Sequence, residues 1–393
     1  MRRKNRRERD KKKVIIGIII MLALLFAIRF VLLKTVDTKS INNDVNTEND
    51  ETEENIQNNE AETDVENHTD THPYDFSVCF AGDINLDENW GTTKYLDSQE
   101  NGIYDCISEE LIKIMQNADV FCLNNEFTYS LDGEKLAGKS YTFRANPTRV
   151  EVLSQMGVDV VTLANNHSFD YGSQSLLDTL DTLEGEEIKY FGAGRNLKEA
   201  MEPVYFSVDG KTIAFVGASR AEKNIKTPQA TETEPGILRC YETELFLETI
   251  KEAKENADFV LAYVHWGTEY SYELEEVQLT TGKEYLDAGA DVIIGAHSHC
   301  LQGMEYYKDK PIIYSLGNFW FNGKTLDTML LELRFYGDDL GGNLDVKIVP
   351  AIQEGYVTKI VKDEDEKSRI YNFLEEISIN VAINQEGKLQ QKE

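Results

Sequence analysis

The chain has 393 residues and a formal net charge of −30, with 70 Asp and Glu against 40 Lys and Arg. That length can bury one large core or two smaller ones. So acidic a balance argues against nucleic acid as a partner, because a phosphate backbone is repelled by it. Five Cys (Cys79, Cys106, Cys122, Cys240 and Cys300) form no CxxC pair, so no disulfide framework is implied.

The charge is unevenly spread. Residues 2–13 hold nine Lys and Arg against two acids, and the apolar run Val14–Leu33 follows. About 20 apolar residues in a helix cross a bilayer core, and a basic flank stays cytoplasmic. The pattern predicts a basic cytoplasmic segment (1–13) and an uncleaved transmembrane signal anchor (14–33), with Arg29 snorkelling at the far end. The chain is therefore expected at the cell membrane as a single-pass protein, with the bilayer as its partner and its main domain extracellular. Residues 34–75 are rich in Asn, Thr, Glu and Asp and poor in aromatics, the composition of a disordered acidic linker. His68 and His72 read as solvated residues of its end.

From Phe76 onward strand and helix signals alternate. Phe76–Ala81, Asp119–Leu123 and Val158–Ala164 read as strands, with helices over Ile107–Gln116, from Pro147, and over Ser173–Leu183. Ile188–Phe191 is a short strand. Val204–Val208 and Thr212–Val216 flank Asp209-Gly210, a hairpin signal. A helix at Glu242–Glu255, a strand at Asp258–Val264 and a helix at Leu274–Ala288 follow. Next come strands at 290–296 and Pro311–Leu316, then a hairpin of Thr328–Phe335 with Leu344–Pro350. A last helix is expected at Ser368–Glu376, with a polar tail behind it. Near-continuous apolar strands between helices signal an α/β fold of layered, partly parallel sheets, and the hairpins make those sheets mixed. The domain spans 76–360, and 361–393 is the C-terminal helix and tail.

Chemistry concentrates where the apolar strands stop, as expected in α/β folds. After the successive strands come Gly82-Asp83-Ile-Asn85, Asn124-Asn-Glu126, Asn165-Asn166-His167 with Asp170 and Gly172, His265-Trp266-Gly-Thr-Glu269, His297-Ser-His299 and Gly317-Asn318. All four His of the folded region lie at such ends. His297 and His299, two apart in an extended turn, are expected to aim at one point. Mixed imidazole and carboxylate ligands suit a divalent ion such as Mn, Fe, Zn or Mg, in one or two copies. A carboxylate such as Glu126 can bridge two ions, and His167 can give a proton to a leaving group. Trp266 and Tyr270 either line a substrate groove or pack. Glu269 either orients His265 or is solvated. Asp170 and Gly172 shape the turn after His167, Asn318 reaches the site or caps a turn, and Arg144 and Arg220 are candidate anion binders.

These motifs, in this order over about residues 76–325, resemble the capsule-synthesis CapA/PgsA family. Its members are membrane-anchored, associated with poly-γ-glutamate production, and built on a domain similar to calcineurin-like metallophosphoesterases. The resemblance implies a metallophosphoesterase-like layered α/β sandwich of mixed sheets. It implies metal ligands at Asp83, Glu126, Asn166, His265, His297 and His299, with one of the last two on each metal. His167 matches the proton donor, and with Asp170 forms the candidate catalytic pair; Asn85, Trp266, Glu269 and Asn318 are candidate substrate or supporting residues. Two departures stand out. Asn85 replaces the His of the phosphoesterases' Asp-x-His motif, which weakens one metal's shell, and Leu-Asn-Asn-Glu stands where they carry Gly-Asp-x-x-Asp.

Three functions follow as expectations. The first is a role in biosynthesis, export or attachment of a poly-γ-glutamate-type capsule polymer, alongside polyglutamate synthase membrane subunits. The second is a metal-dependent phosphoesterase acting on a cell-envelope phosphoester. The third is a non-catalytic binding module with a relic site. The folded region from Phe76 carries about −27, so handling an anionic polymer requires a local basic or metal-bearing groove.

Overall fold

Successive residues of a strand face opposite sides, so strands apolar throughout must fill a core on each face. The computed structural model describes residues 72–222 and 226–392. In chain order its principal strands are β1 (Tyr74–Ile84), β2 (Val120–Asn125), β3 (Val160–Thr162), β4 (Lys189–Phe191), β5 (Val204–Val208), β6 (Lys211–Ser219), β7 (Phe259–His265), β8 (Val292–Ala296), β9 (Met304–Tyr307), β10 (Lys310–Ile313), β11 (Asn318–Trp320), β12 (Leu326–Asp338), β13 (Gly341–Glu354), β14 (Val357–Ile360), β15 (Val381–Ile383) and β16 (Leu389–Gln391). The longer helices are α1 (Glu109–Asn117), α2 (Glu151–Met156), α3 (Ser173–Gly185), α4 (Glu244–Asn256), α5 (Glu276–Ala288) and α6 (Glu364–Glu376).

Two mixed sheets result. The first runs β14-β13-β12-β1-β2-β3-β4, with β11 also paired to β1; the second runs β9-β10-β8-β7-β6-β5. In the first sheet β1 to β4 are parallel and β12 to β14 continue antiparallel on the other side of β1; in the second the central strands are parallel, with antiparallel pairs at both margins, β5 with β6 and β9 with β10. The sheets pack face to face. Val78 and Phe80 of β1 and Val120 and Cys122 of β2 meet Leu261 and Tyr263 of β7 and Val292 and Ile294 of β8 in one core. The alternate residues turn outward. Cys79, Phe121 and Leu123 pack under α1, α2 and α3, through Leu111, Leu153 and Leu180 among others. Val260, Ala262 and Ile293 pack under α4 and α5, through Phe246, Ile250 and Tyr285. The molecule is therefore a helix–sheet–sheet–helix sandwich, the layered α/β architecture that the apolar runs predict.

Local signals mostly act where expected. Asp209 and Gly210 both take positive φ (49° and 79°), joining β5 to β6 in the tight turn that Asp-Gly favours. Asn146 caps the turn opened by Pro147, accepting from the Thr148 amide. Other boundaries move. The last helix starts at Glu364 rather than Ser368, because the Asp363 side chain caps it and three acids occupy its first turn, where the helix dipole favours negative charge. The stretch read as a polar tail pairs as the β15–β16 hairpin, and its Val381, Ile383 and Leu389 join the inter-sheet core together with Ile370 and Leu374 of α6. Three apolar residues among many polar ones suffice, since only one face of that hairpin is buried.

All five Cys are free and buried, small core residues rather than bridges. The segments 1–13 and 14–33, and the linker up to residue 71, lie outside the described residues. Among the described residues no helix is long and apolar enough to cross a membrane.

The inter-sheet layer should dominate stability. Phe80 is fully buried, with its ring 6.0 Å from Phe215 and 6.3 Å from Tyr263 of the opposite sheet. Replacing a buried Phe by Ala costs about 3–5 kcal/mol. Phe80→Ala is expected to lower the unfolding free energy by that amount in denaturant titrations. A loss below about 1 kcal/mol would mean the sheets are not held together as described.

Candidate metal centre

Both sheets present their carboxyl-terminal strand ends on the same side, and the polar residues after those strands meet there. Asp83 lies in β1, Glu126 directly follows β2, and Asn166 follows β3; His265 ends β7, and His297 and His299 follow β8. Two glycines allow the approach. A Cβ at Gly82 would stand 1.9 Å from the Gly317 carbonyl oxygen, and one at Gly295 would stand 1.9 Å from that of Tyr314. Any side chain there would push neighbouring strands apart and displace Asp83 or His297. This is the physical reason for glycine in both motifs.

The donors fall into two groups that share one residue. Ligand atoms of Glu126, His265 and His297 lie within 4.8 Å of one another, as do those of Asp83, Glu126 and His299. Glu126 is fully buried, and its Oε1 lies 3.5 Å from His265 Nε2 and 3.9 Å from His299 Nε2. Asn166 Oδ1 joins the first group, 2.8 Å from His265 Nε2. His299 Nδ1 lies 2.8 Å from Asn318 Oδ1 and 3.1 Å from Asp83 Oδ2, which turns its Nε2 toward Glu126. The expectation that His297 and His299 aim at one point is corrected. The strand ends at Ala296, both His take positive φ (93° and 55°), and their rings separate to either side of Glu126. Positive φ is costly for a β-carbon-bearing residue and clusters at functional sites.

The electrostatics fit a cation. Burial raises the Glu126 carboxyl well above the usual range, and nearby Asp83 adds to this. Burial pushes His265 and His297 well below the usual imidazole value, with neighbouring imidazoles contributing, so both are neutral and keep a lone pair for a ligand bond. Burial opposes charge on His299 too, but the Glu126 and Asp83 carboxylates outweigh it and lift the group to about 9. Among the described residues, Glu126 Oε1 and His297 Nδ1 are buried without any hydrogen-bond partner. A buried carboxylate oxygen with no donor is expensive. A divalent ion would satisfy it, and the mixed N and O donors suit Mn, Fe or Zn.

Asparagines brace the groups. Asn124 Nδ2 donates to Asp83 Oδ1 (2.7 Å), and Asn165 Nδ2 donates to Asn124 Oδ1 (2.9 Å) and to the Asn125 carbonyl (2.9 Å). Asn165 Oδ1 accepts from the His167 amide, fixing the turn. His167 Nδ1–H donates to Asp170 Oδ2 at 2.6 Å, leaving Nε2 facing inward, 3.9 Å from Glu126 Oε1. Asp170 is fully buried and also takes the Phe143 amide and the Lys139 ammonium, the latter at 2.6 Å. Lys139 is itself almost wholly buried and donates to the Asn166 carbonyl as well. Sequence reading missed Lys139 because it sits in a polar, irregular stretch with no strand end or motif beside it.

Other expectations are redirected. Trp266 is not in a groove. Its indole N–H donates to the Tyr314 carbonyl (2.9 Å), and its ring stacks on Tyr285 and Tyr314 in the core under α5. Glu269 is exposed and makes no bond to His265, whose hydrogen-bond partners are Asn124 and Asn166. Asn85 is buried, and its side chain accepts from the Asp87 amide. Arg144 donates to the Asp132 and Gly133 carbonyls and lies over Tyr171, while Arg220 lies over Tyr241. Tyr270, Glu269, His167 and His299 line a cleft of about 260 Å³ that opens over the site.

Comparisons with known proteins agree with the motif order. Residues 77–323 match the family model "Bacterial capsule synthesis protein PGA_cap". The capsule biosynthesis protein CapA of Bacillus anthracis is 33% identical over 281 residues, covering 69% of this chain and 67% of that one. The PGA biosynthesis protein CapA of Bacillus subtilis is 32% identical over 322 residues, covering 80% and 81%. A solved putative 5′-nucleotidase from Staphylococcus aureus shares 19% identity with a TM-score of 0.41, covering 76% of this chain and 58% of that one.

The shared carboxylate sets an order among variants. Glu126→Gln removes an anionic donor from both groups, whereas His297→Ala and His299→Ala each disable one. Elemental analysis after loading with Mn(II) or Zn(II) is expected to show the greatest loss for Glu126→Gln and partial loss for each His variant. Full metal retention in all three would sink the assignment.

Proposed function

Because the chain belongs to the bacterial capsule synthesis protein family PGA_cap, we propose that it acts in the biosynthesis, export or attachment of a poly-γ-glutamate-type capsule polymer, through a divalent-metal centre held by Asp83, Glu126, Asn166, His265, His297 and His299. The observation that carries the metal half of this reading is the buried Glu126 carboxylate, common to two donor groups and lacking a protein donor at Oε1. Two donor groups that converge on one buried carboxylate argue against a relic site. The apolar segment Val14–Leu33 would anchor the chain in the cell membrane, with the basic segment inside and the domain outside, beside the membrane subunits of a polyglutamate synthase.

One or two ions bound there would supply positive charge to a substrate oxygen and polarise the bond next to it. The chain's own residues do the rest. Asp170 fixes the His167 tautomer and ring, so that Nε2 is the atom that exchanges a proton with the substrate. Lys139 and the Phe143 amide hold Asp170 in turn. Phe143, with its ring 4.4 Å from that of His167, and Phe321, 4.7 Å from His299, shield the imidazoles from bulk water.

A second reading, a metal-dependent phosphoesterase on a cell-envelope phosphoester, is favoured by one observation. The His167–Asp170 pair stands beside the two donor groups, where a leaving oxygen would need a proton. It resembles the calcineurin-like arrangement in that respect.

The two readings separate experimentally. In cells, His297→Ala is expected to abolish the surface polymer while the protein stays folded and membrane-associated; undiminished polymer would refute the capsule role. In vitro, if the site hydrolyses an aryl phosphate, His167→Ala is expected to slow turnover by about 10²–10⁴-fold with metal content unchanged. Unchanged turnover would remove His167 from the chemistry.

A further inference from the structure

The cleft over the donor groups has a composition that its position does not require. Its walls are aromatic, with Trp90, Tyr141, Phe143, Tyr270 and Phe321, and the imidazoles of His167 and His299 line its depth. Two charged side chains of opposite sign also line it, Glu269 and Lys324. Both are exposed, and among the described residues neither forms an ion pair with the other or with any third group. Lys324 Nζ instead sits 3.6 Å from the centroid of the Tyr270 ring. Tyr270 is held in place at positive φ (57°), its amide donating to the Ser298 carbonyl between the two His. The chain has 70 acids against 40 bases, and lysines such as Lys254, Lys283 and Lys347 do pair with a carboxylate. An acid and a base kept apart across one small aromatic cleft are an arrangement for a ligand that brings both complements.

A simple anion gains at Lys324 but meets Glu269 and the negative field of the domain. A simple cation meets the reverse. A ligand carrying an ammonium and a carboxylate on one carbon is matched by both side chains, and the aromatic faces take its aliphatic part and favour its ammonium. Building on the capsule-polymer reading, we propose that this cleft is a subsite for the free amino end of an amino-acid chain, with the ammonium directed to Glu269 and the carboxylate to Lys324. In a γ-linked glutamyl chain only the amino-terminal residue carries both groups on one carbon. Interior residues keep the carboxylate, but their nitrogen is an uncharged amide. The cleft therefore distinguishes a chain end from a chain interior, and a space of about 260 Å³ suits a terminal residue rather than a length of polymer.

The test uses the full chain in detergent, loaded with Mn(II), and calorimetric titration with three probes: the dipeptide γ-glutamyl-glutamate, its N-acetyl derivative, and phenyl phosphate. The dipeptide is expected to bind about tenfold or more tightly than the acetylated form, a difference of about 1.4 kcal/mol. Glu269→Gln should erase that preference by weakening the dipeptide alone, and Lys324→Met should weaken both peptides. Both side chains are exposed, so folding is not at stake. Equal affinity for the free and acetylated peptides overturns the proposal, as does binding of phenyl phosphate without binding of the dipeptide, or no dipeptide binding at all. Metal content measured on the same samples keeps the two ideas apart. A free-amine preference in a chain that holds no metal leaves the subsite standing and removes the metal centre, and the converse result does the opposite.

Discussion

One buried carboxylate oxygen without a protein donor, Glu126 Oε1, is the constraint on which the rest of this structure turns. Glu126 follows directly from a strand that is buried along its whole length, and its Oε1 faces three imidazole nitrogens rather than amides or hydroxyls. Protein interiors rarely leave such an oxygen unsatisfied. The neighbouring groups relieve it only in part. Asp83 is another carboxylate, burial keeps His265 and His297 neutral, and His299, lifted to about 9, sets one positive charge against two carboxylates. The surrounding donors are those that a divalent ion takes.

The fold explains why the donors can meet at all. The first sheet contributes the oxygen donors, from Asp83, Glu126 and Asn166, and the second contributes the imidazoles, from His265, His297 and His299. Neither sheet holds a full set. The centre exists only because the two sheets pack face to face with their parallel strands ending on one side, an alignment set by the alternating apolar residues of β1, β2, β7 and β8. A small core replacement far from the ligands would therefore act on the site through sheet alignment.

Much of this is legible in the sequence because it rests on local signals. Continuous apolar runs mark the buried strands, their last residues mark the rim, and His, Asp, Glu and Asn gathered at those ends mark the chemistry. What escapes depends on long-range contact. Lys139 becomes part of the site only because an irregular loop folds back to Asp170 and Asn166, some 30 positions on. Trp266 follows His265, yet the next position along a strand faces the opposite side, which places its indole under α5 and not in the cleft. The β15–β16 hairpin has too few apolar residues to announce itself, and it is revealed by what it covers. The split of His297 from His299 depends on positive φ values that no residue preference foretells.

Sharing one carboxylate between two donor groups has a consequence for how the centre fills. An ion in either group would draw electron density and orientation from the same side chain, so occupancy on one side would alter affinity on the other, and thermodynamic reciprocity would make the effect equal in both directions. The first ion to arrive would freeze the Glu126 rotamer for the second while competing for its charge. Cooperativity of either sign is thus built into a single side chain, and two independent, identical binding constants are the one isotherm this architecture disfavours.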